Sequence, residues 1–95
     1  MFVVILTYLA PLEQIDQLLA QHAAFLDRFY EQGRFICSGR RIPRTGGVIL
    51  VRADHESEVE QITKEDPFYR AGLAAYEIIQ FVPTKYGPGL APCFS

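Results

Sequence analysis

The sequence has few of the residues that mark disulfide-rich, metal-binding or nucleic-acid-binding proteins. Its 95 residues include two cysteines, two histidines and no tryptophan. Two cysteines are too few for a disulfide framework and lack the spacing of a zinc site, so we expect free thiols in a reducing compartment. The net charge of −2 predicts no general affinity for nucleic acid or for an anionic membrane.

No apolar run in the sequence is long enough to cross a bilayer. The apolar N-terminal segment has no basic residues before it and no cleavage site after it, so we interpret it as a strand and not as a signal peptide. We therefore expect a cytoplasmic protein with no membrane partner. The length predicts one domain, over residues 1–83, with a proline-containing tail over residues 84–95.

The apolar pattern predicts alternating strands and helices. Residues 2–8 form a continuous β-branched and aromatic run, typical of a strand covered on both faces. The remaining predicted elements are a helix over residues 12–32, strands over 34–38 and 47–53, a helix from Asp54 or Ser57 to Lys64, and a strand over 73–82. This order predicts the α+β class, as a ferredoxin-like βαββαβ antiparallel sheet with two helices on one face.

The strands predict that the chain is a homodimer. Two helices cover only one face of a four-stranded sheet, yet residues 2–6 and 48–51 are apolar without alternation. The uncovered face would be an apolar patch of a size that soluble monomers rarely expose. We expect a second copy of the chain to pack on this open sheet face. The alternative is that the C-terminal tail covers it.

Two residues are candidates for acid–base chemistry. His22 lies on the apolar stripe of the first predicted helix, where a carboxylate partner would make it a general base near neutral pH. Its alternative role is a packed histidine that hydrogen-bonds to a carbonyl group. Asp66 precedes Pro67, and it could orient the His22 imidazole. Its alternative role is to begin a turn by accepting backbone N–H groups.

The loop predicted over residues 39–46 is a candidate anion site. Arg40, Arg41 and Arg44 lie within five positions of an otherwise acidic protein, and guanidinium groups match carboxylate and phosphate geometry. Gly39 would let a ligand approach the backbone, and Ser38 could donate a hydrogen bond, although no neighbouring base would make it a nucleophile. The alternative is a solvated, solubilising loop.

The other polar residues predict neither a metal nor a cofactor. His55 is expected to be exposed at the start of the second helix. With His22 and Asp66 it makes no local chelate, so we predict no metal. The glycines are too widely separated to form a phosphate-binding fingerprint, and we predict no cofactor.

These elements together resemble the YciI-like (YCII-related) family over most of the chain. The resemblance includes His22 in the first helix, Gly33, Ser38-Gly39 and the glycines at 46 and 47. Its most specific part is Asp66-Pro67-Phe68 followed by Ala71-Gly72-Leu73.

The resemblance implies a dimeric α+β barrel with an active site around His22 and Asp66, close to Ser38 and Gly39. Relatives include a dehydrochlorinase of an aromatic ring, muconolactone isomerase and small monooxygenases. Members commonly have proline where this chain has Arg40, which favours an anionic substrate here.

We therefore expect a cofactor-independent enzyme acting by elimination, dehydrochlorination or isomerisation on a small anionic cyclic or aromatic metabolite. Arg40 or Arg41 would hold the anion, and Ser38 would donate a hydrogen bond to it. The alternatives are a non-catalytic ligand-binding or accessory module, and a structural dimer without a ligand.

Overall fold

Four strands form one antiparallel sheet in the computed structural model, which describes residues 1–94. They are β1 (Phe2–Tyr8), β2 (Phe35–Arg40), β3 (Gly46–Val51) and β4 (Ala74–Gln80). The strand order is β2-β3-β1-β4, with β1 paired to both β3 and β4. The predicted α+β class and the antiparallel βαββαβ arrangement are confirmed.

Five helices accompany the sheet in the described part of the chain. They are α1 (Leu12–Gln17), α2 (Leu19–Glu31), α3 (Glu56–Thr63), α4 (Pro67–Arg70) and α5 (Ala91–Phe94). The prediction of one helix over residues 12–32 is wrong at Leu18, where φ is −108° and ψ is 5°. The Leu18 N–H donates to the Ile15 carbonyl, three residues back. Neither glycine nor proline lies at this break, and the helical spacing of the apolar residues continues across it. The sequence therefore does not indicate where α1 ends.

Two other predicted boundaries also differ from the structure. Helix α3 is capped by His55, not by Asp54 or Ser57, and the His55 N–H donates to the Glu58 carboxylate at 3.2 Å. Strand β2 continues through Gly39 and Arg40, which we had assigned to the loop. Gly39 and Arg40 therefore follow the alternation of a strand. This alternation determines on which side of the sheet the Arg40 side chain lies.

The core lies between one face of the sheet and helices α1 to α4. Phe2, Val4 and Leu6 alternate along β1, are at most 2% exposed, and pack against apolar side chains of the helices. The buried helical members of this cluster are Ile15, Phe25, Phe29, Val59, Ile62 and Phe68. The sheet thus presents one buried face, and the functional side chains described below lie at the edge of this layer.

The opposite face of the sheet, called the open face below, is also apolar. It carries Val3 and Ile5 of β1, Val48 and Leu50 of β3, and Ile79 of β4. Val48 and Ile79 are 38% and 42% exposed. The Arg52 guanidinium donates to the carbonyl groups of Pro92 and Cys93 and so attaches α5 near the end of β3. Attachment of the tail there leaves Val48 and Ile79 uncovered.

No helix in residues 1–94 is long and apolar enough to cross a membrane. Cys37 and Cys93 are both free thiols. The cytoplasmic location stays a prediction from the sequence.

Candidate active site

Asp66 is a fully buried carboxylate that accepts three hydrogen bonds. It is the N-cap residue of α4, and Pro67 occupies the first position of that helix, where the missing N–H costs nothing. Its Oδ1 accepts from the Phe68 N–H at 3.0 Å and from His22 Nδ1 at 2.9 Å. The turn role and the histidine-orienting geometry, which we had treated as alternatives, are therefore both present in one carboxylate.

His22 is held against Asp66 by packing as well as by its hydrogen bond. It lies on α2, and its side chain is 16% exposed. Its ring stacks on Phe68 with centroids 4.3 Å apart and an interplanar angle of 18°. The Asp66-Pro67-Phe68 stretch thus supplies both the carboxylate that bonds the imidazole and the ring on which it rests.

The bond to Asp66 determines which nitrogen of His22 is available to a ligand. A carboxylate only accepts, so Nδ1 carries the proton in this bond and neutral imidazole then has its lone pair on Nε2. Nε2 has no hydrogen-bond partner among residues 1–94, and His22 lines the cavity described below. The bond thus fixes the direction of the imidazole and leaves Nε2 free for a ligand, on a residue that lines the cavity.

Tyr76 completes the shell around Asp66, although it is not among the site residues predicted from the sequence. It lies on the helix-facing side of β4, and its hydroxyl donates to Asp66 Oδ2 at 2.7 Å. Burial, and then the neighbouring Asp66 carboxylate, raise the pKa of Tyr76 well above its ordinary value. The hydroxyl therefore remains a donor to Asp66 at neutral pH. Alternation along β4, with Ala74 buried, would have placed Tyr76 on this face.

A cavity of about 600 Å³ lies beside His22, between α2 and the sheet. Its lining residues are Leu6, Tyr8, Asp16, Leu19, His22, Leu26, Ser38, Gly39, Arg40, Arg44, Gly47, Val48 and Ile49. Gly47 pairs with Leu6 on one side and with Arg40 on the other. Because Gly47 has no side chain, this row of the sheet leaves a hollow between an apolar and a cationic neighbour, and the volume is typical of small-molecule sites.

The structure places three of the four predicted ligand-binding residues at this cavity. Ser38, Gly39 and Arg40 line it, and the Ser38 hydroxyl is hydrogen-bonded to the Tyr30 hydroxyl at 2.6 Å. Arg41 does not line it, because its guanidinium donates to Thr7 Oγ1 at 3.1 Å on the open-face side of the sheet. Strand alternation separates Arg40 from Arg41.

Arg44 lines the cavity in the place that we had considered for Arg41. Its guanidinium forms an ion pair with Asp16 of α1. The pKa of Arg44 is raised, first by this hydrogen bond to Asp16. Arg40 has no ion-pair partner within residues 1–94 and remains exposed.

A smaller cavity of about 370 Å³ is lined by Gln21, Glu65 and Arg70, among others, and contains none of the predicted site residues. His55 is exposed at the N-cap of α3. Residues 1–94 contain no group of three or more histidine, cysteine, aspartate or glutamate side chains that could hold a metal ion. The chemistry available at the cavity is therefore proton transfer at Nε2, with hydrogen bonding and positive charge from β2 and the β2–β3 loop.

Comparison of the sequence with protein-family models matches the YCII-related domain over residues 1–82. This match covers the sheet, helices α1 to α4 and every residue of the His22–Asp66 shell. The chain belongs to the YCII-related family. The resemblance inferred from the sequence motifs is thereby confirmed.

One solved structure gives a close fold match to this YCII-related protein. It is 5-chloro-2-hydroxyhydroquinone dehydrochlorinase from Burkholderia phenoliruptrix AC1100, in complex with 2,5-dihydroxybenzoquinone. The TM-score is 0.72, the sequence identity is 23%, and the match covers 92% of this chain and 96% of the other. At this identity the likeness shows a shared α+β fold. No curated protein sequence matches the chain significantly.

Proposed function

We propose that this YCII-related protein is a cofactor-independent enzyme in which His22 is the general acid and base and Asp66 orients it. The proposal rests above all on the 2.9 Å bond between His22 Nδ1 and Asp66, which directs Nε2 away from the carboxylate and toward the cavity. A histidine that merely filled the core would not need to border a cavity of this size. The stack on Phe68 further limits rotation of the imidazole.

The substrate in this proposal is a small anionic ring compound. Leu6, Leu19 and Leu26 provide apolar contacts, while Arg40 and Ser38 provide a cation and a hydroxyl on β2. The similar dehydrochlorinase has a dihydroxybenzoquinone bound, which agrees with a flat, oxygen-bearing ring. In an elimination, Nε2 would remove a proton, the electron pair of the broken bond to that hydrogen would form a new double bond, and chloride would leave with the electrons of the C–Cl bond.

The test is turnover of two ring substrates by purified protein. Chloride release from 5-chloro-2-hydroxyhydroquinone reports dehydrochlorination, and ultraviolet absorbance follows isomerisation of muconolactone. We expect His22→Ala to lower kcat by about 10²–10⁴-fold, the usual contribution of general acid–base catalysis. Asp66→Asn should lower it too, because the neutral amide no longer stabilises the imidazolium that forms.

The matched control is His55→Ala, since His55 is the other histidine and lies exposed at the N-cap of α3. This variant should keep wild-type activity. Full activity of either His22→Ala or Asp66→Asn would overturn the proposal. Ring compounds that bind but are not turned over, with binding retained in His22→Gln, would instead identify a ligand-binding or accessory module.

We also propose that the protein works as a homodimer joined through the open face. The register places Val3 opposite Leu50 and Ile5 opposite Val48, so the apolar side chains form a continuous patch across β1 and β3. Soluble monomers rarely expose such a patch. A second copy would cover it with an identical surface, as a two-fold interface requires.

A further inference from the structure

The cavity contains one ion pair that the proposed chemistry does not use. Asp16 lies on α1 and Arg44 on the β2–β3 loop, and both line the cavity. Their side chains are 49% and 34% exposed, and exposed ion pairs of this kind contribute little to stability. The other ion pairs between carboxylates and arginines in residues 1–94, Arg28–Glu65 and Arg34–Glu58, lie outside the cavity.

The pair sets the charge that a ligand meets. The lining contains two guanidinium groups, Arg40 and Arg44, and one carboxylate, Asp16. The Asp16 carboxylate is paired with the guanidinium of Arg44, so Arg40 is the lining cation that remains free to bind an anion. The lining therefore has a net charge of +1 and one unpaired cation. Asp66 is buried behind His22 and is not part of this lining.

We propose that Asp16 is a specificity-determining residue that restricts the cavity to ring ligands with one negative charge. A second anionic group on the ligand would have to approach Arg44, where the Asp16 carboxylate already accepts its hydrogen bond and repels other anions. This proposal depends on the proposed role of the cavity as the ligand site. It adds the charge of the ligand and the residue that limits it.

Substitutions at Asp16 and Arg44 change the charge of the lining in steps. Asp16→Asn removes the charge that neutralises Arg44 and raises the net charge from +1 to +2, while Arg44→Gln lowers it to 0. The double variant Asp16→Asn, Arg44→Gln returns it to +1. Asparagine keeps the shape of aspartate and its carbonyl oxygen as an acceptor, so the contact between α1 and the loop can persist without the charge.

The experiment measures binding of benzoate and terephthalate by isothermal titration calorimetry at neutral pH. The two probes share one aromatic ring and differ by a carboxylate. In wild-type protein we expect no preference for terephthalate. In Asp16→Asn the Kd for terephthalate should fall about tenfold relative to that for benzoate. The corresponding interaction energy lies between that of a charge pair in water and that of a charge pair in a protein interior. High salt should reduce this gain.

The double variant tests whether the gain in terephthalate binding depends on Arg44, and an exposed control variant tests whether it depends on the cavity. The gain should vanish in Asp16→Asn, Arg44→Gln, and it should be absent in Asp27→Asn, which makes the same change at an exposed position of α2 outside the cavity. An equal gain in Asp27→Asn, or an unchanged probe ratio in a folded Asp16→Asn, would overturn the role of Asp16.

Binding of neither probe to wild type or to Asp16→Asn would overturn it as well. That result would leave the His22–Asp66 proposal standing, because chloride release and isomerisation test it separately. Conversely, a protein that binds the probes selectively by charge but turns over neither substrate would support the proposed role of Asp16 and count against catalysis.

Discussion

Replacing Asp66 by alanine removes a carboxylate and leaves three donors without their acceptor. These are the imidazole Nδ1–H of His22, the backbone N–H of Phe68 and the hydroxyl of Tyr76. The Tyr76 hydroxyl is partly buried, and leaving such a donor unsatisfied costs about 1–3 kcal/mol. Loss of the N-cap of α4 adds about 1 kcal/mol.

His22 should contribute less to this loss of stability. Its side chain is 16% exposed, so water can replace Asp66 in part, and we assign about 1 kcal/mol to the lost bond. We therefore expect Asp66→Ala to lower the free energy of unfolding by about 3–5 kcal/mol. Asp66→Asn keeps an acceptor for His22 and Phe68 and relieves the burial of a charge, so its cost should be about 1–2 kcal/mol.

Urea unfolding followed by circular dichroism measures these differences, at one fixed protein concentration because dimerisation would couple stability to concentration. Asp54→Ala is the control, since Asp54 is exposed and surface substitutions usually change stability by less than about 0.5 kcal/mol. A cost of less than about 1 kcal/mol for Asp66→Ala would refute the reasoning, because three bonds to a buried carboxylate cannot then exist together in solution.

Three further predictions follow from the same contacts. Tyr76 keeps its proton when folded, since its pKa is raised above the ordinary value of 10.0. Its stabilising effect should be constant below pH 10 and decline above it by about 1.4 kcal/mol per pH unit. Phenylalanine has no proton to lose, so the difference in stability between wild type and Tyr76→Phe, measured by urea unfolding across alkaline pH, should fall at this rate, and a difference that does not change with pH would refute the prediction. Leu19→Trp should fill part of the cavity, because Leu19 lines it and is 40% exposed, and should weaken benzoate binding in calorimetry, whereas unchanged binding would place the ligand elsewhere. Val48→Lys should shift sedimentation from dimer to monomer, and an unaltered dimer would exclude the open face as the interface.

The strands could be predicted because their signal is local. The predicted range 2–8 matches β1, since a continuous run of β-branched and aromatic side chains fits a pleated strand that is packed on its faces. The break at Leu18 could not be predicted, because its sequence context is that of an ordinary helix. Only the packing of α1 and α2 on the sheet distinguishes it.

The site could be predicted in part, for reasons that differ between residues. Arg40 ends β2 and Arg41 follows it directly, so their side chains point to opposite sides of the sheet. The predicted strand ends at Ser38, and a loop over residues 39–46 indicates no direction for either arginine. Arg44 lies in an irregular loop, where no regular spacing of residues indicates which way a side chain points. His22 and Asp66 are 44 residues apart, and their contact depends on how α2 packs beside α4, which motif resemblance suggested and local sequence did not.

The position of Asp66 explains why one short stretch of sequence carries so much of the site. A carboxylate at the N-cap of a helix is fixed by the backbone of that helix, and Phe68, two residues later, is fixed by the same turn. Both then contact the imidazole of His22, one through its edge and the other through its face. The direction of Nε2 is consequently a property of the Asp-Pro-Phe turn as much as of α2. Changes within this turn should therefore alter the proposed catalysis even where they leave His22 untouched.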